Sequence, residues 1–216
     1  QLQQRISHLQ RLSSMGKMVA SLAHQIRTPL SAAILYAQNL SQGMISPVKQ
    51  QRFSHKLLSR LHNLEQQVND MLLFAKSGEK PVLEELTTHS LLNTVASNVE
   101  SYAAQHHVNI VMPECGHSAV LKGNKTALTG ALQNLINNAI DASQAGQEVL
   151  VKTHVEGNNW CVSVIDAGAG IDKEKQAQIF TPFFTGKSNG TGLGLAVVQT
   201  VLRAHHGRID WESEPG

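Results

Sequence analysis

The stretch Ser21-Leu22-Ala23-His24-Gln25-Ile26-Arg27-Thr28-Pro29-Leu30 sets the reading of the whole chain, because it places one histidine on a long amphipathic segment. Apolar residues recur around it at Leu12, Met15, Val19, Leu22, Ile26, Leu30, Ala33, Ala37 and Leu40. These three- and four-residue steps are the seam of a packed helix. His24 lies off that seam. Its neighbours at i−4, i+4 and i+7 are Ala20, Thr28 and Ser31, a small and polar strip that predicts an imidazole reachable from solvent. Such a histidine also fits the outer face of any coiled coil, so the rest of the chain has to decide between the two.

Working outward, the seam predicts one helix from Gln1 to about Gly43, roughly 60 Å long at ~1.5 Å per residue, with a bend near Ile26 to Pro29 where proline removes a backbone donor. Gly43-Met44-Ile45-Ser46-Pro47 then supplies a glycine stop, a serine cap and a proline at the first position of the next helix. That second arm carries Leu57, Leu61, Leu64, Val68, Met71 and Ala75 in four-three alternation and is expected to end near Ser77-Gly78. Two arms with one apolar stripe each cannot enclose a core. A second copy would complete a four-helix bundle, which predicts a homodimer with His24 on its outer face.

Composition narrows the class. The 216 residues are 41% hydrophobic with a formal net charge of +2, enough for a sizeable core and too balanced for a nucleic-acid footprint. Cys115 and Cys161 are the only cysteines and share no C-x-x-C, so the spacing indicates neither a zinc site nor a disulfide framework, and a reducing, cytoplasmic compartment fits. No apolar run approaches the ~20 residues that span a bilayer. The chain opens in mid-helix and stops in the turn Ser213-Glu214-Pro215-Gly216 with no strand after it, which reads as a fragment with flanking parts missing.

After the short hinge Glu79-Lys80-Pro81 the pattern changes. Strands are expected over 82–87, 108–112, 119–121, 148–155, 159–166 and 208–211, and helices over 89–105, 124–143 and 192–205, with a glycine-rich span, mostly loop, over 167–191. Hairpins mixed with helices point to an α+β sandwich rather than a doubly wound sheet. The domain plan is therefore a helical hairpin over 1–78, a hinge over 79–81 and a sandwich domain over 82–216.

Four motifs in the second half carry chemistry. On the periodic helix Asn134 and Asn138 lie one turn apart, and their neutral amide oxygens suit a magnesium ion already balanced by a triphosphate, although helix asparagines are also common on solvated faces. Asp166-Ala167-Gly168-Ala169-Gly170 follows a strand; its carboxylate can accept from an exocyclic amine such as that of adenine, and its glycines let a base approach the backbone. Gly190-Thr191-Gly192-Leu193-Gly194-Leu195 opens a helix, where successive N–H groups form a phosphate site. Between them, Phe180, Phe183 and Phe184, three of five phenylalanines, sit in one loop and read either as anchors of a lid or as a small satellite core. A dinucleotide fingerprint fails at Lys173 and a P-loop fails at Thr181, where each needs glycine.

In this order and spacing, H-Q-I-R-T-P-L at His24, N-L-I-N-N-A, D-A-G-A-G, F-T-P-F-F and G-T-G-L-G-L make the chain resemble a sensor histidine kinase along nearly its whole length. The resemblance implies a dimerisation and phosphoacceptor hairpin followed by a GHKL-type ATP-binding domain. The form A-H-Q-I-R-T-P-L followed by Ser31-Ala32-Ala33 is similar to the NtrB-like kinases that control polar flagellar genes. It implies that His24 attacks the γ-phosphate of ATP through Nε2 and passes the phosphoryl group to the receiver domain of a response regulator, possible partners including an NtrC-like activator. Asn138 and Asn134 would hold Mg²⁺ and Asp166 would read the adenine amine. Gly168 and Gly170 would shape the base pocket, Gly190, Thr191, Gly192, Leu193 and Gly194 the phosphate end, and Lys187 could reach a phosphate. Thr28 matches the position that orients water when the regulator is dephosphorylated.

Two positions depart from the pattern, and the last sheet strand of the implied ATP-binding domain is not found before Gly216. Gln25 stands where an acidic residue usually follows the phosphoacceptor; it can orient the ring but cannot take its proton. Asp141 stands where many relatives carry a basic phosphate contact. The rival readings are a GHKL ATPase that cycles without a phosphoprotein, and a non-catalytic dimeric scaffold that binds a regulator.

Overall fold

The computed structural model describes residues 23, 25–41, 45–75, 82–113, 118–187 and 190–214. His24 and the hinge at 79–81 lie outside the described residues, as does the glycine at the hairpin turn. The chain divides into two compact units, Gln1–Gly78 with Thr185–Thr191, and Glu79–Phe184 with Gly192–Gly216.

In the first unit, helix α1 (residues 25–41) continues through Pro29, so the proline does not interrupt it. Helix α2 (Pro47–Ala75) begins as its sequence dictates. Pro47 takes the first helical position, where its missing N–H is no loss, and the carbonyl of Ser46 accepts from Gln50 N at 3.0 Å. Ala33, Asp70 and Phe74 are buried. The seam is only half closed: Leu30 and Leu61 are each 42% exposed, and Ile34, Leu35, Leu58 and Leu72 are exposed as well. Asp70, a buried carboxylate absent from the apolar pattern, accepts from Gln66 Nε2 at 3.0 Å.

The second unit contains strands β1 (Glu84–Thr87), β2 (Asn109–Val111), β3 (Val120–Gly123), β4 (Glu148–Glu156) and β5 (Asn159–Ile165). Its helices are α3 (Thr88–His106), α4 (Lys125–Ala142), the short α5 (Lys173–Gln176) and α6 (Gly194–Ala204). β1 and β3 pair antiparallel; β2, β4 and β5 form a mixed sheet in that order, with β2 parallel and β5 antiparallel to β4. This is the expected α+β arrangement with a mixed sheet. Residues 208–211, expected as a strand, are not one, since no described strand pairs with them. Within the glycine-rich span, α5 is one turn of helix that the loop reading missed.

Alternation on β4 explains the layering. Val149 and Val151 are fully buried, while Lys152, His154 and Glu156 face solvent. Leu91, Val95 and Val99 of α3 and Ile136, Ala139 and Ile140 of α4 close the same core, with Val162 and Val164 of β5 packed against it. Helix α4 is the hub, packing on α3, α6, β4 and β5. It starts at a capped end, where Asn124 Oδ1 accepts from Ala127 N at 2.9 Å; such a cap contributes about 1 kcal/mol. A hub helix buried on several sides is the rigid element on which a site can be hung.

Candidate functional site

At the helical end, the described neighbours of His24 are Gln25 and Thr28. Gln25 is half-buried, and its Oε1 is enclosed with no hydrogen bond among the described residues; Thr28, one turn on, is exposed. A half-buried amide thus follows His24 in the chain, and a hydroxyl lies on the exposed side of α1.

In the second unit, the motifs converge on α4 and the start of α6. Asn134 is 6% exposed, and its Nδ2 lies 3.5 Å from the carbonyl oxygen of Gly194, the first residue of α6. A Cβ on Gly194 would stand 3.6 to 3.8 Å from the Asn134 side chain, so the two motifs are in van der Waals range of each other. Asn138 is half-buried one turn further along α4. The amide oxygens of this pair fit a divalent ion that brings its own anionic ligands, since they add donors without adding charge.

The Asp166 loop is held from two sides. Asp166 Oδ1 accepts from Gly168 N at 2.9 Å, leaving the rest of an exposed carboxylate available. Gln147 Nε2 donates to Ala167 O at 3.0 Å, and Gln147 Oε1 accepts from Gln144 N at 2.6 Å, which ties the loop to the segment after α4. Gly168 must be glycine: a Cβ there would lie 2.4 Å from the carbonyl oxygen of Ala142. Gly170 has φ +70, the left-handed region that glycine adopts without strain. Ile171 N donates to Ser213 Oγ at 2.8 Å, so the far side of the loop is anchored as well.

The phenylalanine loop and the second glycine motif are one interlocked piece. Phe183 N donates to Gly192 O at 2.8 Å, and a Cβ on Gly192 would meet Phe183 C at 2.4 Å. Thr181 N and Phe184 N donate to Gln178 O and Thr181 O, so the aromatic stretch is a series of hydrogen-bonded turns with Phe180, Phe183 and Phe184 half-buried. Leu193 is fully buried and accepts from Val197 N through its carbonyl, which fixes where α6 begins. Thr191 is buried, Gly190 half-buried and Lys187 exposed, its N–H on Thr185 Oγ1 at 3.0 Å.

Asp141 turns out to be a structural residue. Tyr102 on α3 donates to Asp141 Oδ1 at 2.6 Å, and burial, with the adjacent carboxylate, holds the Tyr102 phenol well above the usual tyrosine range. Gln147, Tyr102 and His205 were not legible as site supports. His205 sits at the end of α6 beside His206 and before Gly207, a helix-end pattern that signals its place but not its two ring partners.

Residues 14–80 match the family model described as His Kinase A (phospho-acceptor) domain, and residues 123–216 match that of the histidine kinase-, DNA gyrase B- and HSP90-like ATPase. The chain carries the two domains of a sensor histidine kinase core. The sensor protein kinase FleS of Pseudomonas aeruginosa is 44% identical over 220 residues, covering 100% of this chain and 53% of the relative. The signal transduction histidine-protein kinase AtoS of Escherichia coli is 29% identical over 99% of this chain and 35% of its own length. Among solved structures, the Acinetobacter baumannii histidine kinase AdeS superposes with a TM-score of 0.63 at 25% identity, covering 89% of this chain and 92% of that one. The chain thus spans about half the length or less of these curated relatives. As a histidine kinase core it puts the glycine motifs in an ATPase-type domain, and among its described residues no helix is long and apolar enough to cross a membrane.

Proposed function

We propose that this chain is the kinase core of a two-component system, in which His24 takes the γ-phosphoryl group of ATP and passes it to an aspartate on a response regulator. In the first step the Nε2–phosphorus bond forms as the bond to the ADP leaving oxygen breaks. In the second the carboxylate displaces the imidazole. Phosphoryl transfer asks mainly for alignment and charge neutralisation. The reading rests above all on the way Asn134 faces Gly194 while Gly192 locks onto Phe183, which gathers the asparagine helix and the phosphate loop in one half of the sandwich domain.

Asp166 reads the adenine amine through the part of its carboxylate not used by Gly168, and Gly168 and Gly170 leave room for the base. Asn138 and Asn134 would hold Mg²⁺, which would neutralise phosphate charge. The amides of Gly190 to Gly194 face the phosphates, with Lys187 as the cation within the same loop. Gln25 orients the His24 ring, and proton transfer goes to water, since an amide is no base. Thr28 positions the water that dephosphorylates the regulator. The domains are the hairpin at 1–78 and the ATP-binding domain at 82–216, joined by the hinge at 79–81, whose motion brings the two together. The exposed leucines of α1 and α2 support a homodimer that closes the four-helix bundle. The resemblance of A-H-Q-I-R-T-P-L to NtrB-like kinases extends the proposal to cytoplasmic control of flagellar genes through an NtrC-like activator, and the likeness to the sensor protein kinase FleS supports the kinase part of it.

Incubation with γ-labelled ATP and Mg²⁺ tests this. The expected result is an acid-labile, alkali-stable phosphoprotein that disappears in His24→Ala and is discharged by a receiver domain. Steady ADP release without phosphoprotein overturns it in favour of a GHKL ATPase.

A further inference from the structure

The solvent face of the β4–β5 hairpin carries a group of side chains that the nucleotide site does not use. His154 on β4 is directly opposite Cys161 on β5, and Glu156 is two residues along β4, so strand alternation puts all three on one face. The opposite face is the core face, with Val149 and Val151 buried. A His nitrogen, the Cys161 Sγ and a Glu156 carboxylate oxygen all lie within 4.8 Å of one another. Cys161 is a free, half-buried thiol, and no hydrogen bond or ion pair among the described residues engages any of these three side chains.

We propose that His154, Glu156 and Cys161 form a binding site for a borderline-soft divalent transition-metal ion, with Zn²⁺ the best match. The donor set decides the class. One imidazole, one thiolate and one carboxylate suit Zn²⁺ and its neighbours, whereas Mg²⁺ and Ca²⁺ take oxygen ligands only. Bond lengths of roughly 2.0 to 2.3 Å around a tetrahedral ion put ligand atoms about 3.3 to 3.8 Å apart. A separation of at most 4.8 Å closes to that by small side-chain rotations about fixed strands. Three protein ligands leave the fourth position to water. The site is distinct from the Mg²⁺ position proposed on α4, because α4 closes the core on the face of the hairpin that carries Val149, Val151, Val162 and Val164, and His154, Glu156 and Cys161 alternate onto the other face. Its spacing, His-x-Glu on one strand and Cys beyond the Glu156-Gly157-Asn158 turn, matches no C-x-x-C pattern, and only the cross-strand register makes it visible. The bound ion would staple the two strands near their turn, and the thiol proton is released on binding, so affinity rises with pH.

Titration of the intact, reduced chain with Co²⁺, followed by its thiolate-to-cobalt charge-transfer absorption in the near ultraviolet, tests the site. The expected result is one equivalent bound with that absorption and displaced by Zn²⁺. The band should be absent in Cys161→Ser, weakened at least tenfold in affinity in His154→Ala, and unchanged in Cys115→Ser. Zn²⁺ should also raise the thermal midpoint of the wild type and not that of His154→Ala. A wild type without the band, or a band that persists in Cys161→Ser or is lost in Cys115→Ser, overturns the proposal.

Discussion

The backbone N–H of Asn124, at the head of α4, donates to Nε2 of His205 at the end of α6, 2.9 Å away and 81 residues later in the chain. The other ring nitrogen, Nδ1, lies 2.7 Å from the carbonyl oxygen of Val201. An acceptor at Nε2 and a donor at Nδ1 leave one assignment, the neutral Nδ1–H tautomer. Asn124 also reaches Val82 O through Nδ2 at 3.2 Å, so one residue joins α4, α6 and the segment before β1. The helices that carry Asn134 and Gly194 are thereby tied together at their far ends.

His205→Phe keeps a ring in place but removes the acceptor, leaving the Asn124 N–H in a half-buried position without its partner. An unfulfilled buried donor costs about 1 to 3 kcal/mol. Urea unfolding of the chain should show that loss, and nitrogen NMR of the wild type should show the Nδ1–H form. A ring protonated on Nε2 instead would contradict the hydrogen-bond assignment.

Tyr102 and Asp141 make stability fall at high pH. The folded protein holds the phenol proton more tightly than the unfolded chain does, first because the ring is half-buried and then because Asp141 accepts from it and is negatively charged. Above the unfolded tyrosine value of about 10 the folded state binds more protons than the unfolded one, so stability is full below that pH and declines as pH rises past it. Tyr102→Phe should flatten this alkaline decline in unfolding midpoints measured between pH 8 and 11. It should also cost about 1 kcal/mol at neutral pH, a modest amount because the pair is partly solvated.

Gly192→Ala places a methyl group 2.4 Å from the Phe183 carbonyl carbon at a residue with φ +65. Backbone cannot yield as a flexible side chain would, so the loop that joins Phe183 to Gly192 has to open, at about 1 to 3 kcal/mol. ATP-analogue binding by calorimetry should weaken at least tenfold while the far-ultraviolet spectrum stays that of the wild type. Gly186→Ala, where a Cβ meets nothing, is the matched control and should leave affinity unchanged.

Asp166→Asn retains an oxygen for the Gly168 N–H but loses the anionic acceptor for a base. The expected result is a loss of adenine-nucleotide affinity of about 1.5 to 3 kcal/mol, the range for hydrogen bonds to charged groups. Stability should be nearly unaltered, because the loop contact survives. Unchanged binding in this variant would remove Asp166 from the base site.

Local pattern carried most of the plan because it records what each element does alone. The Ser46-Pro47 start of α2, the Asn124 cap of α4, the alternation of β4 and the glycines that open α6 all follow from capping, periodicity and backbone freedom, which act within a few residues. The expected strand at 208–211 did not form because a strand needs a neighbour to pair with, and no local preference supplies one. Tertiary structure alone decided that Asp141 serves Tyr102, that Gln147 holds Ala167, that His205 caps a distant helix and that Cys161 faces His154. Those relations are set by which elements the buried core brings side by side, and hydrophobic burial is indifferent to which polar groups it carries along.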